Sequence, residues 1–171
     1  MTTQLSLLAP QTPVTFGPAA IGDVIWTPQN EALARGRISA VWDRGAGHVP
    51  LRYRWSAKVR WVATPAANDR WSLWLVQADA AADPSKTDGG LTLGDAELTA
   101  ETELLANCQL FGTVLATAVD KQFAASGVVD LYSRFVAIAG WNGSATKALT
   151  NTAADHAVVF TPEPFALQAP A

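Results

Sequence analysis

From Leu51 to Trp61 apolar and polar residues alternate almost without a break: Leu51, Tyr53, Trp55, Ala57, Val59 and Trp61 share one side, Arg52, Arg54, Ser56, Lys58 and Arg60 the other. A period of two residues belongs to an extended chain with one face against a core, and no helix segregates residues in this way. The turn cluster Thr64 to Asp69 follows, then a second alternation, with Trp71, Leu73, Leu75 and Gln77 set against Ser72, Trp74 and Val76. Two strands on either side of a turn predict an antiparallel hairpin over 51–63 and 70–79. Upstream, Val14 to Trp26 is interrupted by Gly17, Pro18 and Gly22 and reads as a broken edge strand. Gln29 to Leu33 suits one helical turn, and Arg37 to Trp42 reads as a strand that runs into the Gly-rich loop Arg44 to Gly47.

Downstream, Cys108 to Ala118 and Phe123 to Leu131 are rich in β-branched and apolar residues around Asp120-Lys121, which predicts a second hairpin. The apolar run Arg134 to Ala139 leads to Gly140, and Asn142-Gly143 is a dipeptide that turns easily through positive φ. His156 to Thr161 forms the closing strand. The polar stretch Ala80 to Gly90 reads as a surface loop. Leu91 to Asn107 reads as loop, with a short helix capped by Asp95 as the alternative. Pro10 and Pro13 make residues 1–12 a terminal arm, and Pro162, Pro164 and Pro170 make 163–171 a Pro-rich tail, which leaves 13–162 as one domain. With so little 3.6-residue periodicity, the expected fold class is all-β: an antiparallel two-sheet sandwich, jelly-roll-like, of about seven to eight strands.

Composition narrows the picture further. An apolar fraction of 49% with 16% charged residues supplies a core and excludes intrinsic disorder. A net charge of −3 gives no global attraction to nucleic acid or anionic membranes. Cys108 is the single cysteine, so packing alone must hold the fold. The first residues lack a basic and apolar leader, and no apolar run reaches the roughly 20 residues of a membrane helix, so a soluble product of the cytosol is expected. Seven tryptophans are many for 171 residues, and some are expected to face a partner.

Candidate chemistry is sparse. His48 and His156 stand far apart and in no metal-ligating spacing, and Asp79, Asp83 and Asp88 do not follow the spacing of a calcium loop. There is no Gly-x-Ser-x-Gly elbow, and Cys108 has no basic neighbour to activate its thiol. Asp95, Glu97, Glu101 and Glu103 cluster in sequence, but glycoside hydrolysis needs two carboxyls held about 5 to 10 Å apart across a sugar, and nothing in this spacing specifies such a pair. Gly45-Ala46-Gly47 and Gly89-Gly90 lack the following Lys-Ser or Lys-Thr of a phosphate loop and read as turns. Asn142-Gly143-Ser144 matches a glycosylation acceptor, for which the plain turn is the better account. No catalytic residue, metal or cofactor is expected.

The sharpest candidate is the basic strand face of Arg52, Arg54, Lys58 and Arg60. It could meet nucleic acid, an acidic protein surface or the chain's own carboxylates. Nucleic acid is disfavoured because Tyr53, Trp55 and Trp61, which would stack on bases, lie on the opposite face. A solvated or internally paired face is the plainest account, and a protein partner comes next. Trp71 and Trp74 alternate across their strand, so Trp74 needs a cover, which a subunit, a glycan or another element of this chain could provide.

Several parts then fall in a familiar order. They are the aromatic strand Arg70 to Asp79, the loop with Asp88-Gly89-Gly90, and Leu110-Phe111-Gly112-Thr113-Val114. Leu131 to Val136, Gly140-Trp141-Asn142-Gly143-Ser144 and Asp155-His156 through Thr161-Pro162 complete the series. Across residues 35–162 this order resembles small virion structural proteins of tailed bacteriophages. The resemblance implies a non-enzymatic β-sandwich built into the virion in many copies, as a head decoration or fibre-base component, and assembled in the host cytoplasm. It implies the major capsid protein and copies of the chain itself as partners, in a homo-oligomer for which a trimer is the expected form. Arg134, Asn142 and His156 carry over as structural residues. A glycan-binding module for host attachment, or a tail component, is the alternative, and a lytic enzyme ranks last.

Overall fold

The computed structural model describes residues 12–45, 50–78, 94–105, 108–117 and 119–163. Residues 1–11 of the arm, the tail from 164, Asp79, the loop 80–90 with Asp83 and Asp88, and His48 lie outside them. The strands are β1 (Val14–Gly17), β2 (Val24–Ile25), β3 (Arg35–Ile38), β4 (Trp42–Asp43), β5 (Arg52–Arg60), β6 (Arg70–Ala78), β7 (Ala96–Leu98), β8 (Gln109–Leu115), β9 (Gln122–Asp130), β10 (Phe135–Asn142) and β11 (Ala157–Pro162). A short helix, α1 (Thr102–Leu105), precedes β8, and a single 3-10 turn (Ala153–Asp155) precedes β11. The alternation read from the sequence becomes β5, in which Tyr53, Trp55, Ala57 and Val59 are buried while Arg52, Arg54, Ser56 and Arg60 are exposed.

The strands form two sheets, in the orders β2-β1-β11-β5-β9 and β7-β3-β10-β6-β8, with β4 added beside β10. When the three shortest strands (β2, β4 and β7) are set aside, eight remain, about as many as the periodicity predicts. Numbered along the chain, these eight run 1-8-3-6 in one sheet and 2-7-4-5 in the other. That is the jelly-roll order, in which two Greek keys close face to face.

This order overturns both hairpins expected from the sequence. β5 pairs with β11 and β9, and β6 pairs with β10 and β8, so the turn at 61–69 carries the chain from one sheet to the other. β8 and β9 likewise belong to different sheets. Alternation fixes which side chains face the core but not which sheet supplies them, because strands of either layer present the same pattern to a shared interior. Asn142-Gly143 also forms no hairpin turn. Asn142 ends β10, neither residue has positive φ, and the next strand lies in the opposite sheet. The broken strand at 14–26 resolves into β1 and β2, and only β2 lies at an edge. Residues 29–33 form turns in place of a helical turn.

Between the sheets lies the larger apolar cluster, which includes Phe16, Trp26, Tyr53, Trp55, Trp61, Trp71 and Phe160. Trp26 stacks on Trp71 with ring centres 5.3 Å apart. Gly140 makes room for this stack, since a Cβ there would come within 2.7 Å of Trp26 and 2.9 Å of Trp71. A second cluster lies on the other side of the six-stranded sheet: Ile38, Trp74, Val76, Leu98, Leu104, Ala137, Ala139 and Trp141. It includes Leu98 of β7 and Leu104 of α1. Both faces of β6 and β10 are therefore buried, and both strands read as nearly continuous apolar runs. The segment expected to be loop at 91–107 holds β7 and α1, which help to cover this face. Asp95 does not cap the helix: its carboxylate accepts hydrogen bonds from the Thr27 amide (2.8 Å) and from Arg37 Nε (2.9 Å).

Candidate functional site

The outward residues of β5 face solvent from the five-stranded sheet, one strand in from its β9 edge. Strand register sets Arg52 beside Asp130, Arg54 between Val128 and Thr161, Ser56 between Ser126 and Val159, and Lys58 between Ala124 and Ala157. Three of the four cations singled out from the sequence have partners within the chain: Arg52 with Asp130 (3.1 Å), Arg54 with Glu163 (2.8 Å) and Arg60 with Asp155 (3.6 Å). Lys58 is half-buried and has no ion pair among the described residues. Arg54, Ser56, Ser126, Val128 and Thr161 line a shallow basin of about 460 Å³ across this face. The face is thus small-residued, rich in hydroxyls and close to charge-balanced.

Trp74 does not belong to this surface or to any other. It is only 6% exposed, packed in the cluster that Leu104 and Leu98 help to cover, so the cover required by the sequence comes from its own chain. The tryptophans as a group point inward: Trp26, Trp55, Trp61, Trp71, Trp74 and Trp141 are buried and Trp42 is half-buried against the core. This corrects the expectation of partner-facing tryptophans. It also removes, among the described residues, the tryptophan platform on which sugar binding would rest.

The carboxylates at 95–101 are each tied to a basic side chain. Asp95 is held by Arg37 and Thr27, Glu97 lies 3.8 Å from Arg35, and Glu101 lies 3.3 Å from Arg70. Burial raises the pKa of Asp95, but the hydrogen bonds from Arg37 and Thr27 outweigh it and hold the carboxyl below its ordinary range. Asp69 is similar: burial opposes its charge, while bonds from Ser144, Thr146 and the amides of Ala66 and Ala145 keep it ionised. Among the described residues, no three His, Cys, Asp or Glu side chains are placed to hold a metal, and no helix is long and apolar enough to cross a membrane.

His156 is fully buried. Its Nε2 lies 3.0 Å from the Thr150 carbonyl and 3.1 Å from Thr150 Oγ1, and that hydroxyl lies 2.9 Å from Asp155. A carbonyl can only accept, so Nε2 carries the proton and cannot act as a base toward Thr150. Burial lowers the pKa of the ring, which stays neutral. The Asp-Thr-His grouping therefore pins the start of β11 and is not a nucleophilic triad.

Three polar residues are buried among partners that the sequence reading did not give them. Asn142 is fully buried: its amide donates to the carbonyls of Glu31, Ala32 and Lys147 and accepts from Trp61 Nε1, so it is sealed from any glycosylating enzyme. Arg44, assigned from sequence to a Gly-rich loop, is 7% exposed. It donates to the carbonyls of Leu131, Ser133 and Pro50 and lies over the rings of Tyr53 and Trp42. Glu31 is 6% exposed with one carboxyl oxygen unpartnered, and burial pushes its pKa up to about 7. Nothing in the local pattern marks these side chains, because their partners come from distant segments.

In comparisons with known proteins, no family model and no curated protein matches the chain.

Proposed function

We propose that the chain is a non-enzymatic structural protein of a tailed bacteriophage virion, a multi-copy decoration that binds the capsid and stabilises it. The observation that carries this reading is the jelly-roll strand order, an architecture used by viral capsid domains. It coincides with a series of motifs that resembles phage virion proteins over the same residues. The use of polar groups agrees with such a role: Asp69, Asp95, Asn142, Arg44 and His156 are spent on holding segments together. What remains for function is surface. A lattice multiplies a modest interface, with roughly 800 Å² per partner in a standard patch, because many weak contacts close at once.

The balanced charge of the outer face favours a polar, close-fitting contact over long-range attraction to an acidic partner. Purified protein mixed with capsids that lack it should co-sediment with them, and charge reversal at Arg54 and Lys58 tests whether the basic row takes part. If binding survives that change undiminished, the contact lies elsewhere on the molecule. Jelly rolls also serve as lectins, and the hydroxyl-lined basin beside Arg54 is the one feature that favours a sugar ligand. A glycan array with the purified chain should be silent, and a specific signal would favour host attachment over decoration.

A further inference from the structure

We propose that β9 is a self-association edge, along which two copies of the chain pair antiparallel about a two-fold axis through Ser126. Trp61 N donates to Lys121 O at one end of the β5–β9 ladder, and Leu131 N donates to Leu51 O at the other. Both are pairs of odd-numbered residues in an unbroken register, so the odd residues of β9 exchange their backbone bonds with β5. The N–H and C=O groups of Gln122, Ala124, Ser126, Val128 and Asp130 therefore point away from the sheet. No strand among the described residues pairs with them, since β9 ends the order of its sheet.

The other three sheet edges are protected in ways that β9 is not. β2 and β7 are two and three residues long, and the pairing of β8 with β6 carries an irregularity at Leu73 and Trp74. β9 runs for nine residues without a bulge. From Phe123 to Val129 it has no charge and no proline, the devices that normally discourage edge pairing. Around it lies exposed apolar surface, with Val128 at 51%, Leu110 at 50% and Tyr132 at 72%.

A second copy fits this edge because the strand is complementary to itself. With Ser126 opposite Ser126, Ala124 faces Val128 and Gln122 faces Asp130, whose charge Arg52 already balances. This register uses all five outward residues and makes about ten backbone bonds, two for each facing pair. Sliding by two residues in either direction leaves outward groups unmatched. Pairing consumes the edge of both copies, so the product is a closed dimer and not a fibre. The inference names a self-contact within the proposed function but stands apart from it, because the edge is present whether or not the chain belongs to a virion.

Sedimentation of the purified full chain over a concentration series up to about 100 μM tests it. The wild type should show a monomer–dimer equilibrium. Ser126→Pro removes an outward N–H and no bond to β5, so it should weaken dimerisation at least about tenfold while thermal melting and circular dichroism stay native. Val128→Lys, which sets a charge on the edge, should do the same. A wild type that stays monomeric throughout, a trimer, or a dimer unaffected by both substitutions overturns the proposal. None of these results bears on capsid binding, so the two readings fail separately.

Discussion

Glu31 and Gly140 show how single positions govern this fold. Glu31 lies buried with its carboxyl pushed up to about 7, so it folds most easily while protonated. Its contribution to stability is present below the ordinary carboxyl range of about 4.5 and is lost as pH rises through 7. Glu31→Gln should therefore stabilise the protein at pH 8 by about 1–3 kcal/mol relative to the wild type, and by far less at pH 5. Urea denaturation at the two pH values measures the difference. His156 acts in the opposite direction: its buried neutral ring makes unfolding easier as pH falls below about 6.5, where the unfolded chain takes up a proton that the folded one refuses. At Gly140 the limit is steric, since a methyl group would enter the Trp26–Trp71 stack. Gly140→Ala should cost about 1–3 kcal/mol in thermal or chemical unfolding even though it is the smallest possible enlargement.

At the scale of elements, β5 was legible except at its ends: its alternation survives residue by residue from Tyr53 to Trp61, but the strand expected over 51–63 spans Arg52–Arg60, and Leu51, expected on the core face, is exposed. β6 was legible as a strand but not in its surroundings. Its two faces carry Trp71 and Leu73 on one side and Trp74 and Val76 on the other, and only the cover contributed by α1 and β7 explains why both are apolar. That cover was hidden because α1 has four residues, too few to establish a helical period. The role of α1 can be measured. Leu104→Ala, on a peripheral single turn, should cost about 2–4 kcal/mol because Leu104 closes the second cluster and is fully buried. Equilibrium unfolding in urea supplies the value, and a change below about 0.5 kcal/mol would mean that the helix merely rests on the sheet. The basic row of β5 was legible as a row, while its neutralisation by Asp130, Asp155 and Glu163 was not, because those carboxylates arrive from β9, the turn before β11 and the residue just after it.

For the molecule as a whole, fold class followed from local periodicity, but connectivity did not. The turn at 61–69 and the one at 116–121 look like hairpin connections and instead cross the sandwich, because the partner of a strand in a jelly roll is often far away in sequence: β5 bonds to β11, and β3 to β10. The same crossings bring Asn142, Glu31 and Trp61 together, which is why the polar clusters could not be read in advance. What results is a two-layer shell in which Asp69, Asp95 and Asn142 are occupied by bonds to distant segments, while Glu31 keeps one buried carboxyl oxygen without a partner. The proposed virion role is tested most directly by quantitative mass spectrometry of purified particles of the phage proposed to carry the chain. The account predicts on the order of tens to hundreds of copies per particle, in a fixed ratio to the major capsid protein. Purified wild-type particles in which the chain is not detected contradict it.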